Sequence, residues 1–243
     1  MRRRLNWKLL IVLIFVVGMG SVGLFLGHRW QVRKAAARLL NQAAEAEKRG
    51  DTEKTVEFLR RYLGFVPEDS KNLEHLGVLL AMRANSADAK REALVILDRA
   101  SRLRTPSSEI RLIIVKLAMD PQVARYEDAS VYLRDMLKAQ PNDAELEEKL
   151  AQCLQALNRG EEAIEQYRLS LEHDSSRLST YVKLARLLRT VNQQTGEADR
   201  VMDARKDRDG IIVHNPQVAR AYLERGTYRR DFRIDGADRD VAK

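Results

Sequence analysis

Few residues in this 243-residue sequence have the type and spacing that chemistry requires. His28, His75, His173 and His214 are the candidates for metal ligation or proton transfer. None shares a helix-face spacing with another His, Cys or acid, so no pair of ligands is aimed at one ion. Cys153 is the only cysteine, so no intramolecular disulfide can form. With no histidine near it in sequence, it reads as a small buried helix residue rather than a nucleophile. Neither G-x-S-x-G nor a P-loop occurs. Glu147-Glu148 and Glu161-Glu162 read as solvated helix faces. The expectation is therefore no catalytic, cofactor-binding or metal site. One motif does match a phosphate cradle: Gly18-Met19-Gly20-Ser21-Val22-Gly23 fits G-x-G-x-x-G. A dinucleotide fold needs a strand before that motif, a helix after it and a second strand beyond. Leu10–Val17 could be the first strand, with Glu45 as the ribose acid, but residues 35–63 carry helical periodicity and no second strand follows.

Those glycines lie in a different element. Leu9–Gly27 is nineteen residues without a charge, thirteen of them Leu, Ile, Val or Phe. As a helix it would span about 28 Å, close to the hydrocarbon thickness of a bilayer. Trp7 and Trp30, the only two tryptophans, bracket it as interface anchors would. The run exceeds a usual signal-peptide core and no A-x-A site follows it, so a retained transmembrane helix is expected. Gly23 and Gly27 form a G-x-x-x-G pair, which predicts a weak homodimer contact. The expected organisation is a basic tail (1–8), a transmembrane helix (9–27), a juxtamembrane segment (28–34) and a body (35–243).

Charge supports this division. The net charge of +8 resides wholly in residues 1–38, which hold eight basic residues and no acid; the rest of the chain has 35 basic and 35 acidic residues. A nucleic-acid binder would carry its excess on the folded body, so no nucleic-acid partner is expected. Arg2, Arg3, Arg4 and Lys8 are packed more closely than Arg29, Arg33, Lys34 and Arg38. The positive-inside rule then predicts a single-pass protein with its N-terminus in the cytoplasm and its body extracytoplasmic.

From Ala35 onward, apolar residues recur at spacings of three and four, with breaks at Gly50-Asp51, Pro67, Pro106, Pro141, Gly160, Asp174-Ser175 and Pro216. Such spacing predicts helical hairpins repeated about every 34 residues. In Ala144–Asp174, Leu150-Ala151 occupies a close-contact position, Arg159-Gly160 a turn, and Ala163 and Tyr167 a small and an aromatic position. This stretch resembles a tetratricopeptide repeat (TPR). The first unit fits the same register through Ala43, Gly50, Leu59 and Pro67, departing at Thr55 where alanine is usual. Later units follow through Leu76-Gly77, Ala93 and Leu97; Ala129 and Leu133; Leu184-Ala185, Ala198 and Met202; Tyr222 and Gly226. A short insertion is expected to lengthen the turn around Asn85–Lys90, the turn Asp120–Val123 is irregular, and a longer loop is expected at Asp209–Asn215.

The resemblance implies an all-α, TPR-type α-solenoid over 35–68, 70–105, 107–141, 144–175, 178–210 and 216–243. The last unit would be incomplete, its second helix beginning near 235–238. A non-repetitive helical bundle is the alternative architecture. By resemblance, the function is a membrane-tethered protein–protein interaction scaffold that binds a peptide or protein in a concave groove. A structural subunit of a larger cell-envelope assembly is the alternative, followed by an enzyme whose site is assembled across repeats. Residues 177–243 hold 15 basic and 10 acidic residues, whereas 39–176 hold 20 and 25. In the TPR register Arg186, Arg189, Arg220 and Arg230 face the groove, and guanidinium forks pair with carboxylates. An acidic peptide or protein segment is therefore the expected partner. A two-carboxylate clamp is not implied, because Ala37, Leu40 and Ala44 stand where its Lys and Asn would be.

Overall fold

The computed structural model describes residues 30–191, 193–202, 210–215 and 217–234. The 9–27 segment, with Gly23 and Gly27, lies outside them. No helix among the described residues is long and apolar enough to cross a membrane. All the regular structure described is helical, in two compact units, residues 1–106 and 107–243.

The first unit contains α1 (30–48), α2 (Thr52–Phe65), α3 (Ser70–Arg83) and α4 (Ala87–Leu103). Short polar residues start α2, α3 and α4: Asp51, Asp69 and Ser86 accept from the amides of Lys54, Asn72 and Ala89 at 3.1, 3.1 and 3.2 Å. Each cap satisfies an amide that the first helical turn leaves free. Gly50 ends the α1 turn at φ +73°, a left-handed conformation that glycine adopts without a Cβ clash. Ala36, Leu39, Ala43, Leu59, Leu73 and Leu76 form the buried core. Thr55 is also buried, and its hydroxyl donates to the Asp51 carbonyl at 2.8 Å. That bond explains how threonine replaces alanine there. Gly77 lets α3 meet α4 closely: a Cβ at this position would lie 2.6 Å from Leu97 Cγ. The expected insertion at Asn85–Lys90 is shorter than the sequence suggests, because α4 begins at Ala87 on its Ser86 cap.

The second unit contains α5 (Ser108–Ala118), α6 (Tyr126–Ala139), α7 (Ala144–Ala156), α8 (Gly160–His173), α9 (Leu178–Val191), α10 (Thr195–Met202), α11 (Ile211–His214) and α12 (Ala219–Asp231). Neighbouring helices pack pairwise through Ala118, Ala129, Ala151, Ala163 and Ala185, all fully buried, with Leu133, Leu154, Tyr167 and Leu188 filling the space around them. Small residues allow the close crossing, and each large apolar side chain contributes roughly 1.5–3 kcal/mol by burial.

Two expected turns differ in detail. The left-handed residue between α7 and α8 is Asn158 (φ +59°), not Gly160. Gly160 is the first residue of α8, and a Cβ on it would lie 2.8 Å from the Val191 methyls. The Asp209–Asn215 stretch is not a plain loop. Within it Ile211–His214 forms one helical turn with Ile211 and Ile212 buried, and His214 stacks on Tyr181 at 6.5 Å.

Candidate functional site

The spacing of exposed and part-exposed residues on α5 and α7 determines what these helices can line. Leu112, Lys116 and Met119 fall at i, i+4 and i+7 on α5 and its C-terminal end. Glu145, Glu148, Lys149 and Gln152 fall at i, i+3, i+4 and i+7 on α7. Each set is one helix stripe, and the two stripes face each other across an open cleft of about 500 Å³, closed at one side by Arg177. Leu112 is 40% exposed there, an apolar surface inside a charged rim. Lys116 is exposed and Lys149 pairs with Glu145.

The cleft is organised by Glu148. Its side chain is 5% exposed, and it accepts from Lys183 Nζ at 2.5 Å, Arg177 Nε at 2.9 Å and Gln152 Nε2 at 3.2 Å. Burial pushes its carboxyl up, but the bonds and charges of Lys183 and Arg177 outweigh burial and hold it at about 2. The adjacent Glu147, also buried, meets His173 Nδ1 at 2.8 Å on α8. The expectation of a solvated acidic pair therefore fails for Glu147-Glu148 and holds for Glu161 and Glu162, which are exposed. The signal for Glu148 was a distance in sequence: its cationic partners follow 29 and 35 residues later, about one repeat away.

The four arginines expected in the groove occupy unlike environments. Arg186 on α9 is half-exposed and reaches Asp231 on α12 at 2.5 Å. Arg189 is 15% exposed; it donates to Tyr228 Oη at 2.6 Å and to Asp199, and lies over the Phe232 ring at 4.8 Å. Tyr228 Oη in turn donates to Asp199 at 3.0 Å. Burial raises the Tyr228 hydroxyl to about 12, so it stays neutral. Arg189 is thus a fastener between α9, α10 and α12. Arg220 is exposed beside Glu224 of its own helix, at 3.4 Å, and Arg230 is exposed near the end of α12. The structure links Arg186 and Arg189 to α12, the helix that carries Arg220 and Arg230, through Asp231 and Tyr228.

Cys153 is fully buried, and desolvation pushes its thiol up to about 11, which disfavours the thiolate a nucleophile needs. Among the described residues, no group of three His, Cys, Asp or Glu side chains could hold a metal ion.

Paired helices with small residues at their crossings define an all-α fold of tetratricopeptide type. Solved structures share it. YrrB, a TPR protein with an unusual peptide-binding site, superposes with a TM-score of 0.57 at 15% identity, over 75% of this chain and 88% of that one. A MamA crystal structure gives 0.55 at 14% identity, over 83% of this chain and 97% of that one. MamA from Desulfovibrio magneticus RS-1, from residue 41 to its end, gives 0.51 at 17% identity, covering 68% and 90%. At such identities the likeness is one of fold. No family model matches the sequence, and no curated protein matches it.

Proposed function

We propose that this chain is a membrane-tethered interaction scaffold that holds an acidic, partly apolar segment of another protein along α5, α7 and α9. The observation that carries this reading is the cleft between α5 and α7, in which exposed Leu112 adjoins Lys116 and Lys149. Lys149 is held by Glu145 and Arg177 by Glu148, and Asp120 also lines the cleft, so it is Lys116 beside the Leu112 anchor that suits a segment in which a large apolar residue neighbours a carboxylate. Arg186 extends the cationic rim, and its half-exposed bond to Asp231 can be exchanged for a partner carboxylate at little net cost. Arg220 and Arg230 add exposed positive charge on α12, whereas Arg189 positions that helix. The TPR-type fold supports the same class of function, and YrrB is itself described as having a peptide-binding site. Tethering through residues 9–27 would raise the effective concentration of membrane-proximal partners, so a weak groove suffices.

A photo-crosslinking residue placed at Leu112 of the full chain tests the groove. A discrete adduct, lost on Lys116→Glu, is expected. Equal crosslinking from Val131, exposed on α6, would overturn the reading. Location is tested separately with Val213→Cys in a Cys153→Ser background, since Val213 is exposed on α11. Labelling of intact cells by an impermeant maleimide is expected if the body is extracytoplasmic; protection until lysis places it inside.

A further inference from the structure

One end of the first hairpin carries a surface that the groove does not use. The N-terminal end of α1 and the C-terminal end of α2 meet around a cleft of about 570 Å³, with Val32, Ala36, Leu40, Phe65 and Val66 among its walls. Two large apolar side chains stand out from this end: Trp30 is 59% exposed and Phe65 is 46% exposed. Arg33 lies on the cleft rim. Lys34 Nζ sits 3.8 Å above the Trp30 ring, and Arg38 follows one turn later; all three cations are exposed. None of the three forms an ion pair with a described residue. The neighbouring carboxylate Asp69 is occupied by the Tyr62 hydroxyl at 2.7 Å and the Asn72 amide at 2.8 Å.

We propose that this end of the first hairpin lies against an anionic lipid surface, with Trp30 and Phe65 in the interfacial layer and Arg33, Lys34 and Arg38 on lipid phosphates. Indole and phenyl rings partition to the interface, and a cluster of cations with no acid among them is attracted to anionic headgroups. Charge complementarity selects lipid over a second copy of this chain, whose identical patch would bring like charges together. The proposal deepens the tethering reading and rests on it. It makes the bilayer an oriented platform for the first hairpin rather than only an anchor point.

The test uses the full chain with Trp7→Phe and Trp30→Phe, leaving no native tryptophan. Phe65→Trp then supplies one reporter at the patch. Met82→Trp supplies one at the C-terminal end of α3, where the native side chain is 77% exposed and at the opposite end of the hairpins. Each protein is reconstituted into phosphatidylcholine vesicles with or without phosphatidylglycerol, with bromine near the glycerol end of the acyl chains. The expected result is strong quenching of the residue-65 reporter in anionic vesicles, loss of most of that quenching with Arg33→Glu and Arg38→Glu, and none for the residue-82 reporter. Flotation with carbonate-washed vesicles reports tethering independently. A chain that floats with its residue-65 reporter unquenched would overturn this proposal and leave the tether standing. A chain that does not float at all would overturn both.

Discussion

Glu148 on α7 and Lys183 on α9 meet at 2.5 Å across 35 residues of sequence. With Arg177 they form a charge network whose acid is almost fully buried and whose cations are part-exposed. Glu148→Ala should therefore destabilise the chain by about 1–3 kcal/mol, less than a fully buried pair because Lys183 and Arg177 retain contact with water. Urea unfolding of the wild type and variant measures this directly. Glu162→Gln, at an exposed pair with Arg159, should leave the unfolding midpoint unchanged.

Acidification should act on the same network. The folded carboxyl of Glu148 is held at about 2, below its usual value of 4.5. Its contribution is therefore fully present above the unfolded value and is lost as pH falls from about 4.5 towards 2. The wild-type urea midpoint should decline across that interval more steeply than that of Glu148→Gln. Parallel pH profiles for the two proteins would refute the assignment.

The glycines should respond to alanine with opposite signs. Gly77→Ala drives a methyl into fully buried Leu97 and should cost about 1–3 kcal/mol. Gly64 is the penultimate residue of α2, and no neighbour comes within 4 Å of the point where a Cβ would stand, so Gly64→Ala should stabilise by about 0.5 kcal/mol, the low end for a helical glycine. Thermal denaturation of both variants decides the matter.

Arg189→Ala should loosen α12 without unfolding the rest of the second unit, since its guanidinium bonds Tyr228 and Asp199 and covers Phe232. Hydrogen exchange should accelerate in residues 219–231 while α7 and α8 stay protected. Uniform acceleration throughout α7–α12 would show that these helices open as one unit.

Cys153 should resist thiol reagents in the native chain and react only on unfolding, because its side chain is fully buried and its thiol is raised to about 11. The rate of labelling in increasing urea should follow the unfolding transition of the second unit.

Much of the fold is legible in residue order alone. Ala43, Leu59, Ala163 and Tyr167 carry the size alternation that lets helices cross closely, and all four are buried. Other assignments were out of reach because local spacing is silent about partners. Glu147-Glu148 and Glu161-Glu162 are the same dipeptide, on α7 and at the start of α8, yet one is buried and one exposed. Likewise Arg186 and Arg189 are one helical turn apart, but Asp231 leaves the first half-exposed while Tyr228, Asp199 and Phe232 enclose the second.

Sequence alone determined what depends on local periodicity and composition: helices, the small-and-large pattern at crossings, and the concentration of excess positive charge in residues 1–38. Tertiary structure decided what depends on neighbours distant in the chain. It made Gly160 a packing residue rather than a turn residue, buried Ile211 and Ile212 within an expected loop, and drew Arg177 and Lys183 onto Glu148. The physical reason is that burial and charge pairing are set by which surfaces meet, and that information is carried across the spacing of a repeat rather than within a helical turn.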